Sequence, residues 1–296
     1  MNSGGKRLQP HAFEYIRAST VSQAVDLLRK HGERAKVLAG GQSLIPVMKL
    51  RLASPEVLID IGRIPGLSSL KEDGNTLRIG AMTRHRELEE SKLIQTRYPL
   101  LADTAAVLGD PEVRNAGTIG GALAHADPAG DWGAALLAFD AKLVATGPKG
   151  KRTLSIDEFF TDTFTTALKP VEVLTEIRIP KPGPRSGGAY KKLKRKTGDF
   201  ATVAVGAQLK LDTKGAVESV RIGMGAVGPT PVRAKRAEEF LTGKVATTDN
   251  LGRAAKLAAE ESKPTSDLRG SEEYKRAMVE VFARRALETA VQRTGR

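Results

Sequence analysis

The 296-residue sequence contains no cysteine. Without cysteine the chain cannot form disulfides, ligate an iron–sulfur cluster or use a thiol as a nucleophile. Any iron–sulfur centre that serves this protein must therefore be supplied by another chain.

Long apolar runs are also missing. The opening MNSGGKRLQPHAFEY has no apolar stretch of signal-peptide length, and no segment approaches the roughly 18 consecutive apolar residues of a membrane helix. We therefore expect a soluble, cytoplasmic protein with no membrane span.

Aromatic residues make up only 4% of the chain, although its net charge of +13 would suit a polyanion. Lysine and arginine are mixed with acidic residues along most of the sequence, and few aromatic side chains are available to stack on bases. We expect no nucleic-acid partner. The one dense basic run, residues 191–196, is interpreted as a solvated strand edge, which lysine commonly protects from unwanted pairing.

Helical and strand patterns alternate in the first part of the chain. Thr20 and Gln23 form a capping box ahead of an apolar helical face, so a helix should run to His31. Short apolar runs predict strands at 35–39 and 57–61, and a turn at Asp73-Gly74 predicts a hairpin over 67–82. A further helix is expected at 99–108, and a glycine-rich loop should follow it.

The pattern changes after KPGPRSGG, residues 181–188, whose prolines and glycines are typical of a linker. Beyond it the sequence predicts antiparallel strands and then three helices that break at Gly243 and around 263–270; the strands are expected at 190–194, 201–211 and 216–226.

These elements predict an α+β protein of two domains. The first should cover residues 1–180 and the second should cover residues 187–294.

Two glycine-rich segments could bind the phosphates of a dinucleotide. The first, Ala39-Gly40-Gly41-Gln42-Ser43-Leu44, leaves a buried strand, and the second is Gly117-Thr118-Ile119-Gly120-Gly121-Ala122. Because glycine has no Cβ, backbone N–H groups in such turns can approach a phosphate closely. Two such loops suit a diphosphate, although each alone is also typical of an ordinary turn whose polar groups bond to their own backbone.

His125, Asp127 and Asp131 follow the second segment and allow other chemistry. They could ligate a metal in a hydrolase, but the chain has four histidines and no second ligand at a spacing such as H-x-x-x-H. Asp131, at a predicted helix start, could instead accept hydrogen bonds from backbone or ligand groups. No G-x-S-x-G sequence supports a serine hydrolase.

A third glycine-rich segment, from Gly223 to Gly228, matches G-x-G-x-x-G after a predicted strand. Pro229 and Pro231 interrupt the position at which a dinucleotide-binding helix would begin. We interpret this segment as a glycine-rich strand end and assign it no nucleotide.

Taken together, AGGQSLIPVMKLR and RNAGTIGGALAHADPAGD resemble the paired FAD signature of the carbon monoxide dehydrogenase medium-subunit family. AYKKLKRKTGDFA and VGPTPVRA extend the resemblance over nearly the whole chain. The resemblance implies an FAD-binding region of the vanillyl-alcohol oxidase (PCMH) type with two subdomains, of about residues 1–59 and 60–180, followed by a small antiparallel sheet with three helices. It implies non-covalent FAD, since no histidine attachment is expected and cysteine is absent.

Carried over position by position, the resemblance implies a set of cofactor contacts spread along the chain. The first loop would comprise Val37, Leu38, Ala39, Gly40, Gly41, Gln42, Ser43 and Leu44, and the second Thr118, Ile119, Gly120, Gly121 and Ala122, with His125, Asp127 and Asp131 after it. The remaining contacts would be Leu108, Leu174, Lys191 and Phe200.

Two details of this assignment can be tested. Ala122 stands where relatives commonly carry Asn, Ser or Asp, so one side-chain hydrogen bond to FAD would be missing. We expect Gly41→Val and Gly120→Val each to abolish FAD binding and leave the fold largely intact, because each new side chain would block backbone approach to phosphate.

The resemblance also implies a function, that of the FAD-binding electron-transfer subunit of a molybdenum hydroxylase related to xanthine dehydrogenase. A small [2Fe–2S] subunit would deliver electrons and a large molybdenum-cofactor subunit would oxidise the substrate, in a dimer of heterotrimers. No catalytic residue or metal ligand is expected on this chain. The alternatives are a stand-alone flavin-dependent oxidase and a non-catalytic nucleotide-binding module.

Overall fold

The computed structural model describes residues 9–295 and begins with a small parallel sheet. Its elements are β1 (Glu14–Arg17), α1 (Val21–His31), β2 (Ala35–Leu38), α2 (Leu44–Lys49) and β3 (Val57–Asp60). The strands lie in the order β1-β3-β2, and both pairs are parallel.

The predicted cap of α1 is confirmed at Thr20, but the reciprocal bond of a capping box is not formed. Thr20 Oγ1 accepts a hydrogen bond from Gln23 N at 3.1 Å, whereas Gln23 Oε1 accepts one at 2.7 Å from Ser19 N, the residue before the cap. The Thr20 contact occupies one of the N–H groups that a helix start leaves without an intrahelical partner. The helix then buries Ala24, Val25 and Leu28 against the sheet.

The middle of the chain forms a five-stranded antiparallel sheet with order β4-β5-β10-β6-β7 and helices packed around it. The strands and the small hairpin β8-β9 are β4 (Leu70–Asp73), β5 (Thr76–Gly80), β6 (Lys142–Gly147), β7 (Gly150–Ser155), β8 (Phe160–Asp162), β9 (Thr165–Thr166) and β10 (Val173–Pro180). The helices are α3 (His85–Glu90), α4 (Lys92–Arg97), α5 (Pro99–Val107), α6 (Pro111–Ala116), α7 (Ile119–His125), α8 (Asp131–Ala138) and α9 (Ile156–Phe159).

The last part has the predicted order of antiparallel strands and then three helices, but its sheet has four strands where three were predicted. The strands, in spatial order, are β11 (Ser186–Leu193), β12 (Val203–Leu211), β13 (Val217–Gly225) and β14 (Val232–Arg233), and the helices are α10 (Lys235–Leu241), α11 (Thr248–Glu261) and α12 (Glu272–Gln292). In the described part of the chain, no helix is both long and apolar enough to cross a membrane. The domain boundary proposed at 181–188 stays a prediction.

Two further elements of secondary structure differ from those that the sequence predicted. The stretch predicted as a glycine-rich loop forms two short helices, because Asp110 caps α6 and Thr118 caps α7 with side-chain hydrogen bonds. Strand β1 was not predicted, because its sequence EYIR is mostly exposed and lacks an apolar run.

Helix α8 lies at the junction between the middle and last parts of the chain. All of its residues are buried, and it packs against β12 and β13. The backbones approach so closely that a Cβ added at Gly223 would lie 2.1 Å from the carbonyl oxygen of Ala134. This close contact explains why the G-x-G-x-x-G segment has glycine at position 223. The predicted strand end is confirmed, because β13 runs to Gly225.

Gly223→Ala should therefore destabilise the protein. The new methyl group would collide with the backbone of α8, and overpacking of this kind costs about 1–3 kcal/mol of unfolding free energy. Urea unfolding, followed by the fluorescence of the single tryptophan, would measure the loss.

Gly252→Ala in α11 is the matched control, because a Cβ added there meets no atom within 4 Å. It should leave stability unchanged or raise it by about 0.5–1 kcal/mol, as expected for removing glycine from a helix interior. Equal effects of the two substitutions would contradict the close-packing explanation.

Candidate functional site

The first glycine segment presents a run of open backbone N–H groups. It joins β2 to α2, and Gly41 adopts a left-handed φ of +74°. Within residues 9–295, no carbonyl or side chain accepts a hydrogen bond from the N–H groups of residues 39–44. These groups are half-buried apart from the exposed Gln42. Successive N–H groups in such a concave turn favour an anion.

The second glycine segment is different, because most of its amides already have partners inside the protein. Ile119 N donates to Thr83 O at 3.0 Å, and Gly120 N donates to Ala81 O at 2.8 Å. Gly121 N donates to Thr118 Oγ1 at 3.1 Å. The amides of residues 119 and 120 thus attach α7 to the segment that follows β5, and the amide of Gly121 is bonded to the cap of α7 itself.

Gly120 serves packing in this arrangement. A Cβ added there would lie 2.6 Å from Ala81 O and 2.5 Å from Ala81 Cβ. The expectation that Gly120→Val spares the fold is therefore wrong, because the new side chain would strike protein backbone inside the core.

The two glycine segments lie against each other, although they are far apart in sequence. A Cβ added at Gly40 would lie 2.2 Å from Ala116 O and 2.8 Å from Gly117 Cα. A Cβ added at Gly121 would lie 3.5 Å from Ala39 Cβ. The structure therefore brings residues 39–44 and 117–121 together, and the run of open amides belongs to the first segment.

The buried rings of His85 and Trp132 form a pair next to the second glycine segment. His85 Nδ1 accepts a hydrogen bond from Trp132 Nε1 at 3.1 Å, and the His85 ring lies beside Gly117. Burial, together with the nearby charge of Arg114, lowers the pKa of His85 to about 4. His85 is therefore neutral near pH 7.

Asp131 begins α8 and lies in a buried polar cluster with two residues of β11. Tyr190 Oη donates to its Oδ1 at 2.7 Å, and Lys192 Nζ donates to its Oδ2 at 2.9 Å. Burial raises the pKa of Asp131, while the Lys192 ammonium and the Tyr190 hydroxyl oppose that rise. Burial and the Asp131 charge raise the pKa of Tyr190 well above its usual value, so Tyr190 remains a donor.

The burial of Lys192 contradicts the interpretation of residues 191–196 as a solvated strand edge. Its side chain is only 1% exposed, so it is not part of a solvated strand edge even though β11 lies at the edge of its sheet. The run mixes exposed Arg195 and Lys196 with a buried charge that has an acidic partner.

His125 and Asp127 do not converge with Asp131. The His125 ring packs on Phe164 with centroids 5.2 Å apart, and Asp127 Oδ1 accepts a hydrogen bond from Ala129 N at 2.9 Å. Burial lowers the pKa of His125, and Asp127 opposes this effect. No group of three or more His, Cys, Asp or Glu side chains could hold a metal ion anywhere in residues 9–295, so the metal-hydrolase alternative has no structural support.

The remaining predicted contacts surround the junction between the middle and last parts of the chain. Leu108 is buried at the end of α5, and Leu174 is buried on β10, against which α7 packs. Phe200 is 49% exposed, and Gly198 in the same loop lies beside Asp110. Lys191 lines a groove of about 560 Å³ that it shares with Phe282 and Arg285 of α12.

Four residues of this region were missed in the sequence: His85, Trp132, Tyr190 and Lys192. Strand alternation could have identified the last two, because residues 190 and 192 of a strand point to the same face and residue 191 points to the other. The His85–Trp132 contact joins residues far apart in the chain and has no local signal.

Comparisons with known proteins agree with this geometry. Residues 11–182 match the family described as the FAD binding domain in molybdopterin dehydrogenase, and residues 188–290 match the CO dehydrogenase flavoprotein C-terminal domain. These matches, with the open amides of residues 39–44, define an FAD-binding oxidoreductase subunit.

Individual relatives show which oxidoreductase subunits this chain is similar to. The carbon monoxide dehydrogenase medium chain of Hydrogenophaga pseudoflava is 45% identical over 95% of this chain and 98% of its own length. The 6-hydroxypseudooxynicotine dehydrogenase complex subunit alpha of Paenarthrobacter nicotinovorans is 35% identical over 97% of both chains. A solved structure of the Hydrogenophaga pseudoflava carbon monoxide dehydrogenase matches with a TM-score of 0.93 at 46% identity, covering 96% of this chain and 99% of that one.

This chain belongs to the FAD-binding medium-chain family of carbon monoxide dehydrogenase and related molybdenum hydroxylases. The predicted family, the α+β fold class and the FAD cofactor are confirmed. The residues present fit FAD, since a half-buried run of N–H groups without internal acceptors is suited to a diphosphate.

The pKa of His85 predicts a pH dependence of stability. Between pH 6.5 and about 4 the unfolded chain binds a proton at His85 and the folded chain does not, so stability falls as the pH is lowered. The full difference corresponds to about 3 kcal/mol. Urea unfolding between pH 7.5 and 4 would measure the slope.

His85→Gln is the control for this prediction, because glutamine can accept the hydrogen bond from Trp132 but does not titrate. Subtracting its pH profile from that of the wild type isolates the His85 contribution from those of the carboxylates. Identical slopes of unfolding free energy against pH in the wild type and in His85→Gln would show that folding does not lower the pKa of His85.

Proposed function

We propose that this chain is the electron-relaying subunit of a molybdenum hydroxylase complex. Electrons would arrive from [2Fe–2S] clusters of a small partner subunit and leave to an external acceptor. When bound, FAD supplies the two-electron redox chemistry for this relay. The observation that carries the proposal is the run of open amides at residues 39–44 within a matched FAD-binding domain.

The composition of the chain supports a relay that depends on partners. The chain has no cysteine to hold an iron–sulfur cluster, and the described residues include no cluster of side chains that could hold a metal. Substrate oxidation would therefore take place on a large molybdenum-cofactor subunit, and the small subunit would provide the clusters. We propose a dimer of such heterotrimers.

Each part of the candidate site has a role in this proposal. The amides of residues 39–44 would bind the diphosphate, and the second segment would hold them in place through the Gly40–Ala116 contact. Leu108 and Leu174 would flank the flavin, with Lys191 and Phe200 approaching from the last part of the chain. Asp131 would act through its protein partners, since Tyr190 and Lys192 bond to its two oxygens.

The substrate would not be selected by this chain. Relatives of 45% and 35% identity, matched over nearly their whole lengths, are named for carbon monoxide and for 6-hydroxypseudooxynicotine. A single FAD-binding framework thus accompanies very different substrates, which is expected if the substrate pocket lies on another subunit.

Gly41→Ala should weaken FAD binding by tenfold or more. Alanine is strained at a φ of +74°, and its Cβ would lie 2.7 Å from Ile45 Cδ1, so the turn should change its conformation and reorient the amides. Titration with FAD, followed by flavin fluorescence, would measure the dissociation constant.

Gly66→Ala is the matched control, since Gly66 has a φ of +79° and no atom within 4 Å of an added Cβ. It should show a similar loss of stability with unchanged FAD affinity. Normal FAD affinity in Gly41→Ala would refute the diphosphate role of the first segment.

The relay itself is tested by co-expressing the chain with candidate iron–sulfur and molybdenum subunits. We expect saturable binding of FAD but not of FMN or NAD, and bleaching of the flavin absorbance on addition of substrate only when the cluster-bearing subunit is present. Turnover of a substrate by this chain alone would favour a stand-alone oxidase. FAD binding without reduction in any complex would favour a nucleotide-binding module.

A further inference from the structure

The C-terminal end of α5 is held by cationic side chains from two directions. Lys192 Nζ and Lys194 Nζ lie 3.4 and 3.5 Å from Val107 O. Arg114 Nη1 donates to Leu108 O at 3.0 Å. The last carbonyls of a helix have no intrahelical partners, and the negative end of the helix dipole favours cations there. These contacts fix the segment that carries Leu108.

Lys192 differs from the other cations because it is anchored in the interior. Its side chain is 1% exposed, and the side chain of its partner Asp131 is 6% exposed. Asp131 is anchored in turn by Tyr190 Oη and by its position at the start of the fully buried helix α8. Lys192 therefore has a defined place, whereas a solvated lysine would move among many rotamers.

The three elements in this cluster come from different parts of the chain. Asp131 lies on α8, Lys192 lies on β11, and Val107 ends α5, so one ammonium group bonds to two elements of the FAD-binding region from the last sheet. A buried charge is costly unless it is paired and hydrogen-bonded, which the carboxylate and the carbonyl provide here.

From this geometry we propose that Lys192, anchored by Asp131, is a positioning residue for the flavin. It holds the end of α5 so that Leu108 packs against the ring system, and Asp131 acts as the anchor of Lys192. This inference rests on the proposed function, because it takes Leu108 to be a cofactor contact.

Lys192→Met tests the proposal, since methionine keeps much of the apolar stem and removes the ammonium group. In the full-length chain loaded with FAD, we expect roughly tenfold weaker FAD binding, the size of effect typical of a lost contact to a charged group. We also expect an altered visible circular dichroism of the bound flavin, which a purely structural role would not change.

Lys275→Met is the matched control. The Lys275 side chain is 4% exposed and bonds to Asp267 Oδ1 and to Thr265 O, both at 2.8 Å, so it is also a buried lysine paired with an aspartate and a carbonyl. It should lower the melting temperature by a similar amount while leaving FAD affinity and flavin dichroism unchanged.

The double variant Asp131→Asn/Lys192→Met covers the case in which Lys192→Met fails to fold. Removing both charges avoids an unpaired buried carboxylate, so this variant should recover stability. It should still bind FAD weakly and show the altered dichroism, because Val107 O still lacks its anchored cation.

The outcomes separate the two proposals. Wild-type affinity and dichroism in both Lys192→Met and the double variant would overturn the positioning role and leave the FAD assignment standing. Failure of the wild-type chain to bind FAD, alone or in its complex, would overturn the proposed function itself.

Discussion

The ion pair between Asp131 and Lys192 is the contact on which the junction of the molecule depends. Both side chains are almost completely buried, so each loses its hydration on folding, and the pair is tolerable only because Tyr190 and the carbonyl of Val107 supply further hydrogen bonds. These groups belong to α8, β11 and α5. Their relative positions are consequently fixed by one polar cluster, around which the apolar core of the middle part closes with Leu101, Trp132 and Tyr190.

Glycine has a different physical role in each of the three glycine-rich segments. At residues 40–41 it allows a left-handed turn and a close contact that leave neighbouring amides open. At Gly120 it allows α7 to bond directly to the end of β5, and at Gly223 it allows α8 to pack on β13. The first of these arrangements leaves a run of donors for a ligand, whereas the other two bring parts of the protein backbone together. A glycine motif therefore indicates close backbone approach, and the hydrogen bonds decide whether the approaching group is a ligand or protein.

Local patterns predicted the parts of the fold that local physics decides. The helix cap at Thr20, the hairpin turn at Gly74 and the three C-terminal helices were all evident from the sequence, because caps, turns and helical periodicity act within a few residues. The helix over residues 119–125 was not predicted, since two glycines oppose it and its support comes from Ala81 and Thr83 far away in sequence. The candidate site likewise had parts that local sequence predicted and parts that depend on contacts between distant residues. The two segments were identified from their glycines and their pairing as an FAD signature from resemblance, but which amides remain open could be seen only in the assembled structure.

The division of labour in the proposed complex follows from the same contacts. The region that would hold FAD is built from backbone amides and buried packing, and these depend little on the identity of exposed side chains. Relatives named for unrelated substrates can therefore share the framework over nearly its whole length. What must be kept is the geometry between α5, α8 and β11, because it sets where the flavin would lie relative to an incoming electron donor. The selection acting on such a chain would fall on the position of its cofactor, and substrate recognition would evolve separately on the partner subunit.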